Sequence, residues 1–176
     1  MSRIRERVNL KPYNTFGVDA LCDYFTEIHS VADFKALLSE PLYRKNKKLI
    51  IGGGSNLLFT TDFHGLVIRN CLKGIEQVAE TADATLMRAA AGENWHGFVM
   101  HCVAAGLGGL ENLSLIPGCV GASPMQNIGA YGAEVKDVFH ELEAYDLDTG
   151  EMRVFSAAEC GFGYRESVFK RQYKDR

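Results

Sequence analysis

The stretch IPGCVGASPMQNIGAYG, from Ile116 to Gly132, constrains this chain more than any other, because it is uncharged in a protein with 23% charged residues. Pro117, Pro124, Gly118, Gly121, Gly129 and Gly132 interrupt it too often for one regular helix or strand. It is also too apolar for an ordinary surface loop. If buried, its backbone N–H and C=O groups need partners. Either its own Asn and Ser side chains meet that need in a buried connecting loop, or a bound molecule does.

The uncharged run extends from Asn112 to Ala133, a length that could span a bilayer. Asn112, Gln126, Asn127 and the prolines exclude that reading, since lipid-exposed backbone must bond to itself without a break. A chain of 176 residues, 47% hydrophobic, fits one ordinary domain or two small ones. Its net charge of -3 lacks the basic excess that a nucleic-acid surface requires. The cysteines, Cys22, Cys71, Cys102, Cys119 and Cys160, are odd in number and dispersed, which fits reduced thiols better than a disulfide frame or a zinc site. His96 and His101 do not share the helical spacing by which two histidines hold one metal, so no metal site is expected. The N-terminal residues show no apolar signal core, and a cytoplasmic protein is expected.

Ser30 and Asp33 predict a capped helix whose apolar stripe is Val31, Phe34, Leu37 and Leu38, closed by Pro41. Leu49–Ile51 reads as a strand, and Leu57–Phe59 and Leu66–Ile68 as β-like runs after it. Asn70 to Gly74 is a plausible seam, dividing a smaller unit, 1–72, from a larger one, 73–176. Beyond it come paired strands at Ile75–Glu80 and Ala84–Ala90. An Asn94-capped helix then runs from Trp95 to Ala105, with Phe98, Val99, Cys102 and Val103 facing the core and Gly106 ending it. Val138–Leu147 and Glu151–Phe155 form a hairpin around Asp148–Gly150, and Ser156 with Glu159 predicts one short helix.

Gly52, Gly53 and Gly54 follow the strand at Ile51 directly, where the missing side chains let a phosphate approach backbone N–H groups, with Ser55 and Asn56 as further donors. A tight strand-to-strand turn explains the same residues equally well. Ser55 and Asn56 stand where a P-loop needs Lys and then Ser or Thr, so nucleoside-triphosphate chemistry is excluded. Leu57 stands where a dinucleotide fingerprint needs glycine, and the chain there reads as extended rather than helical. In the second glycine-rich segment, Pro117, Gly118, Gly121 and Ala122 bring backbone close to whatever they face, while Ser123, Gln126 and Asn127 offer polar groups. That combination suits a planar heteroaromatic such as a flavin.

Taken together and in order, NLKPYNTFGV, IIGGGSNLLF, AGENWH, GLENLSLIPGCVGASPMQNIGAYG and FGYRESVFK resemble the UDP-N-acetylenolpyruvoylglucosamine reductases, flavoenzymes of peptidoglycan precursor synthesis. The resemblance runs from about Leu10 to the last residue. It implies an α+β fold of the vanillyl-alcohol oxidase / p-cresol methylhydroxylase type, built in two parts around FAD and unrelated to the Rossmann fold. It also implies NADPH as hydride donor and a UDP-sugar enolpyruvyl ether as substrate. Gly52, Gly53, Gly54, Ser55 and Asn56 would wrap the pyrophosphate. Pro117, Gly118, Gly121, Ala122, Ser123, Asn127, Gly129 and Tyr131 would line the flavin, which would then supply the missing backbone partners. Arg165, in GYRES, matches the family's active-site arginine, whose planar guanidinium suits a carboxylate; an ion pair with Glu166 is the structural alternative. Tyr131 and Tyr164 would border the substrate region.

The family's acid, a serine assisted by a glutamate, lies later in the family's sequence, and Glu166 and Ser167 do not match it. The resemblance therefore implies a C-terminally incomplete, FAD-holding portion without the segment that closes over the UDP-sugar, with weak FAD retention and no turnover of its own. Two other readings stay open: a non-catalytic flavin or nucleotide-binding module, and an interaction domain with turn glycines.

Overall fold

The structure, a computed structural model, describes residues 3–174, and the outermost residues of the units expected at 1–72 and 73–176 lie outside that range. The chain opens with β1 (Arg5–Asn9), β2 (Leu21–Ile28), α1 (Val31–Leu38), α2 (Pro41–Lys45), β3 (Lys48–Ile51) and β4 (Phe63–Asn70). These strands form one mixed sheet in the order β1-β2-β4-β3, with β1 antiparallel to β2 and both β2 and β3 parallel to β4. Period-two alternation sends Leu66 and Ile68 of β4 to one face and Val67 to the other. On the first face they join Ile28, Phe34, Leu37 and Tyr43, beneath α1 and α2. On the second, Val67 meets Leu10, Cys22, Phe25 and Ile51.

Ser30 caps α1 as predicted, its hydroxyl accepting from Asp33 N. Pro41 does not simply close that helix; it opens α2 at a first-turn position, where its missing N–H has no intrahelical partner to lose. Leu57–Phe59 forms no strand. Leu57 and Phe59 instead pack irregularly against the second face of the sheet.

The second half contains β5 (Ile75–Glu80), β6 (Thr85–Ala89), α3 (Trp95–Ala104), β7 (Gly129–Ala130), β8 (Ala133–Glu134), β9 (Glu141–Tyr145) and β10 (Met152–Ser156), paired as three antiparallel hairpins. Asn94 caps α3 by accepting from Gly97 N at 2.8 Å. Its buried face is Trp95, Phe98, Val99 and Cys102, whereas Val103 is exposed, contrary to expectation. Trp95, Phe98, Val99 and Cys102 join Leu113, Ile128 and Val135 in a core of their own. Ser156 and Glu159 exchange their predicted bonds, Ser156 N to Glu159 Oε2 at 2.9 Å and Glu159 N to Ser156 Oγ at 3.4 Å, but close only a turn. Gly161, at φ 54°, reverses the chain before a helix can propagate.

Contacts join residues on the two sides of the expected seam. Tyr145 and Leu147, flanking the end of β9, pack on the α1–α2 side of the first sheet, and Tyr43 Oη donates to Leu147 O at 2.7 Å. The described residues contain no helix long and apolar enough to cross a membrane, no cluster suited to a metal ion, and five free thiols.

Candidate cofactor cradle and cleft

The two glycine-rich segments meet. A side chain begun at Gly52 would lie 3.2 Å from Cβ and Sγ of Cys119, one at Gly53 would lie 3.6 Å from Gly118 Cα, and one at Gly118 would lie 3.1 Å from Ser55 Oγ. A third strand of chain closes the arrangement, since Thr15 N donates to Gly54 O at 3.2 Å and Tyr13 O stands 2.0 Å from where a Gly54 side chain would begin. Gly54 itself holds φ 64°, which glycine adopts without strain. Residues 52–62 contain no helix, so the loop does not open a Rossmann helix.

Hydrogen bonding separates the two jobs of the uncharged segment. Much of its backbone is satisfied within the chain: Trp95 N donates to Gly118 O at 3.0 Å, Val120 N to Glu93 O at 2.9 Å and Gly121 N to Ala91 O at 2.9 Å. Residues Val120–Gln126 then wind into a 3-10 helix. The expectation that a ligand supplies its missing partners is therefore too broad. Among the described residues, however, the backbone N–H groups of Gly53, Gly54, Ser55, Asn56, Gly118 and Cys119 donate to no protein acceptor. Six N–H groups on two abutting loops, with small residues between them, are donors of the kind a pyrophosphate takes.

Other sequence candidates divide by exposure. Pro117, Ala122 and Asn56 face solvent. Gly121 is required by packing, because a side chain there would come within 2.6 Å of Ala91 Cβ. Ser123 is buried, and Asn127 is fully so, its amide used inside the chain by Gly163 O at 2.9 Å and Lys136 N at 3.1 Å.

Gly129, Tyr131 and Arg165 line a different feature, an open cleft of about 410 Å³ bordered by Gly129–Glu134, Lys136, Asp137, Tyr164 and Arg165. Tyr131 and Gly132, at φ 52° and 84°, make the two-residue turn between β7 and β8. Tyr131 is 90% and Tyr164 85% exposed, so two aromatic faces border the cleft without contributing to a core. Arg165 sits at φ 52° in a turn closed by reciprocal bonds between Gly163 and Glu166, and its Nη2 donates to Gly129 O at 2.6 Å. Glu166 lies 3.6 Å from Arg171 instead, and among the described residues no carboxylate is in ion-pair range of Arg165. The other cation, Lys136, is bonded to Glu134; the ammonium holds that carboxyl below its usual range, and the carboxylate raises the ammonium. Arg165 thus carries the unpaired positive charge of the cleft.

Thr15 carries no signal beyond its place in the NTFGV motif, and Cys119 none beyond lying in the uncharged segment, although both abut the glycine loop. Thr15 reaches the loop through its backbone N–H and through its hydroxyl, which donates to Ser55 O at 3.4 Å, and no neighbouring residue marks either contact. The Cys119 signal was its place next to Gly118.

A family model described as FAD binding domain matches residues 22–156. A UDP-N-acetylenolpyruvoylglucosamine reductase of Chromobacterium violaceum is 55% identical over 171 residues, covering 97% of this chain and 50% of that protein. One from Neisseria gonorrhoeae is 49% identical over 176 residues, covering 100% and 51%. The crystal structure of UDP-N-acetylenolpyruvylglucosamine reductase (MurB) from Thermus caldophilus superposes with a TM-score of 0.74 at 28% identity, over 95% of this chain and 57% of that one. The chain spans about half the length of the curated relatives it matches.

Proposed function

Because this chain belongs to the FAD binding domain family, we propose that it is the flavin-holding part of a cytoplasmic reductase. That reductase converts UDP-N-acetylglucosamine enolpyruvate to UDP-N-acetylmuramate with NADPH, in peptidoglycan precursor synthesis. The printed names of the relatives support the substrate class. The finer fold assignment, the vanillyl-alcohol oxidase / p-cresol methylhydroxylase type with units divided near residue 72, belongs to the same proposal. So does its corollary that the UDP-sugar-closing segment and the proton-donating acid lie outside these 176 residues. The observation that carries the reading is the convergence of Gly52–Asn56 with Gly118–Cys119 around six unclaimed N–H groups.

Bound FAD would supply the centre that accepts hydride from NADPH and delivers it to the enolpyruvyl double bond. The N–H groups of Gly53 to Asn56, with those of Gly118 and Cys119, bind its pyrophosphate, and the bare α-carbon of Gly53 permits close approach. Of the second segment, the exposed Pro117 and Ala122 would border the ring system. Arg165 is held at one end by Gly129 O and keeps its other N–H groups for the substrate carboxylate. Negative charge gathers at that carboxylate during reduction, so a cation already in place stabilises the transition state more than the ground state. Tyr131 and Tyr164 offer flat faces for the nicotinamide and substrate. Ser167 is not the acid: it is fully buried, and its hydroxyl donates to Met125 O at 2.7 Å.

Titration of the purified chain with FAD, followed by flavin fluorescence, tests the cradle; saturable binding is expected, and a chain that stays colourless in excess FAD overturns it. In a full-length protein, Arg165→Ala should lower kcat/KM by about 10²–10³ while FAD stays bound. Turnover retained in that variant would remove Arg165 from the chemistry, and FAD binding without turnover in the full-length parent would favour the non-catalytic binding-module reading.

A further inference from the structure

A set of hydrogen bonds ties residues 125–136 to residues 163–167, and Asn127 is at its centre. Its side chain is used at both ends, Nδ2 donating to Gly163 O at 2.9 Å and Oδ1 accepting from Lys136 N at 3.1 Å. Gly163 is also the closing residue of the turn that presents Arg165: Gly163 N donates to Glu166 O at 3.0 Å, and Glu166 N to Gly163 O at 3.2 Å. One carbonyl therefore receives both the turn's own bond and the amide of Asn127. Ser167 Oγ to Met125 O at 2.7 Å and Arg165 Nη2 to Gly129 O at 2.6 Å flank that bond on either side. Asn127 holds φ 44°, a left-handed conformation that Asn tolerates better than most L-residues.

We propose that Asn127 is a positioning residue for Arg165, holding the Tyr164–Arg165 turn against the cleft, and is not a ligand of the cofactor. The proposal rests on the reading of Arg165 as the carboxylate's partner, and it adds how that guanidinium is kept in place. The amide of Asn127 is 0% exposed and already bonded at each end, so a ligand would reach it only by displacing the residues packed around it. The same two bonds link the loop after β8 to the arginine turn, so displacing one end frees the other. Asn127→Asp isolates the effect, because it keeps an acceptor for Lys136 N while turning a carboxylate oxygen toward Gly163 O. Asn127→Gly removes both bonds and adopts the backbone conformation freely.

The test is site-resolved modification of the chain by phenylglyoxal, read by peptide mass spectrometry, with Arg69 as the internal standard. Arg69 is bonded to Glu27 in the first sheet at 2.9 Å and has no connection to Asn127. In both variants Arg165 should react roughly fivefold faster, the scale of one lost hydrogen bond, with Arg69 unchanged and FAD affinity within about twofold. Three results overturn the proposal: an unchanged Arg165 rate in a folded variant, loss of FAD binding without faster Arg165 modification, or an equal rise at Arg165 and Arg69. Should Asn127→Asp fail to fold, Asn127→Gly decides, and failure of both to fold counts against a positioning role. A parent chain that binds no FAD sinks the flavin reading and leaves the comparison of arginine rates intact.

Discussion

Gly52 lies face to face with Cys119, its missing side chain replaced by that cysteine's Cβ and Sγ, each 3.2 Å from where a methyl would stand. This contact makes one wall out of two segments far apart in sequence. The next two glycines then carry different burdens, and substitution should separate them.

Gly54→Ala should unfold or strongly destabilise the chain, by about 2 kcal/mol or more, because it adds left-handed strain and drives a methyl to within 2.0 Å of Tyr13 O. Gly53→Ala should leave the urea midpoint nearly unchanged, since its methyl meets Gly118 Cα at an ordinary 3.6 Å. It should nonetheless weaken FAD binding about tenfold or more by standing where the pyrophosphate approaches. Equal FAD affinity in Gly53→Ala and the parent would remove the anion from this loop.

Alkylation at pH 8 should mark the cysteines unequally. Cys71 and Cys119 are partly exposed and should react first, with added FAD slowing Cys119. Cys160 is fully buried, and burial, reinforced by Glu159, pushes its thiol up to about 11, so it should react last. Peptide mapping with and without FAD measures this, and a Cys119 rate indifferent to FAD would speak against the cradle.

Local rules read well where local chemistry decides. Asn94 and the apolar face behind it marked α3, and Ser30 marked α1, because caps and helical periodicity are written in adjacent residues. β1 and β2 lie outside what those local rules predict. RERVN is exposed along most of its length, and β1 exists only because β2 pairs with it across a loop. Ser156 and Glu159 formed their bonds without a helix, since the glycine at 161 turns the chain away. For the site, each glycine cluster was visible, but their meeting depends on tertiary packing, and only the family resemblance linked them. Asn127 was legible as a polar residue beside glycines, but not its burial or its bonds to Gly163 O and Lys136 N, which tertiary packing sets.

Tyr43 should impose a pH dependence. Burial, with Asp148 and Asp146 nearby, pushes its phenol from 10.0 up to about 12. Below pH 10 both folded and unfolded chains keep the proton, and the stabilisation is fully present. Between about pH 10 and 12 the unfolded chain releases the proton while the folded chain holds it, so stability falls. Urea denaturation at pH 8, 10 and 11 should show that decline and a shallower one in Tyr43→Phe. At pH 8 that variant should lose about 1 kcal/mol, having given up the bond to Leu147 O.

Trp95, the one tryptophan, reports on the second core. It is 2% exposed and donates to Leu113 O at 2.7 Å, so its emission should be blue-shifted and should redden in a single step on unfolding. Trp95→Phe should cost about 1–3 kcal/mol, through a smaller ring and an orphaned carbonyl.

β3 and β4 are parallel neighbours, and the peptide that carries the chain from the end of one to the start of the other is residues 52–62. The glycine loop is thus the crossover of the first sheet. Whatever immobilises it also tightens the seam between two strands, so ligand occupancy should be legible as slower amide exchange in β3 and its partner β4. Shortening or grafting that loop would alter the sheet's connectivity together with its binding, and neither property can drift without the other.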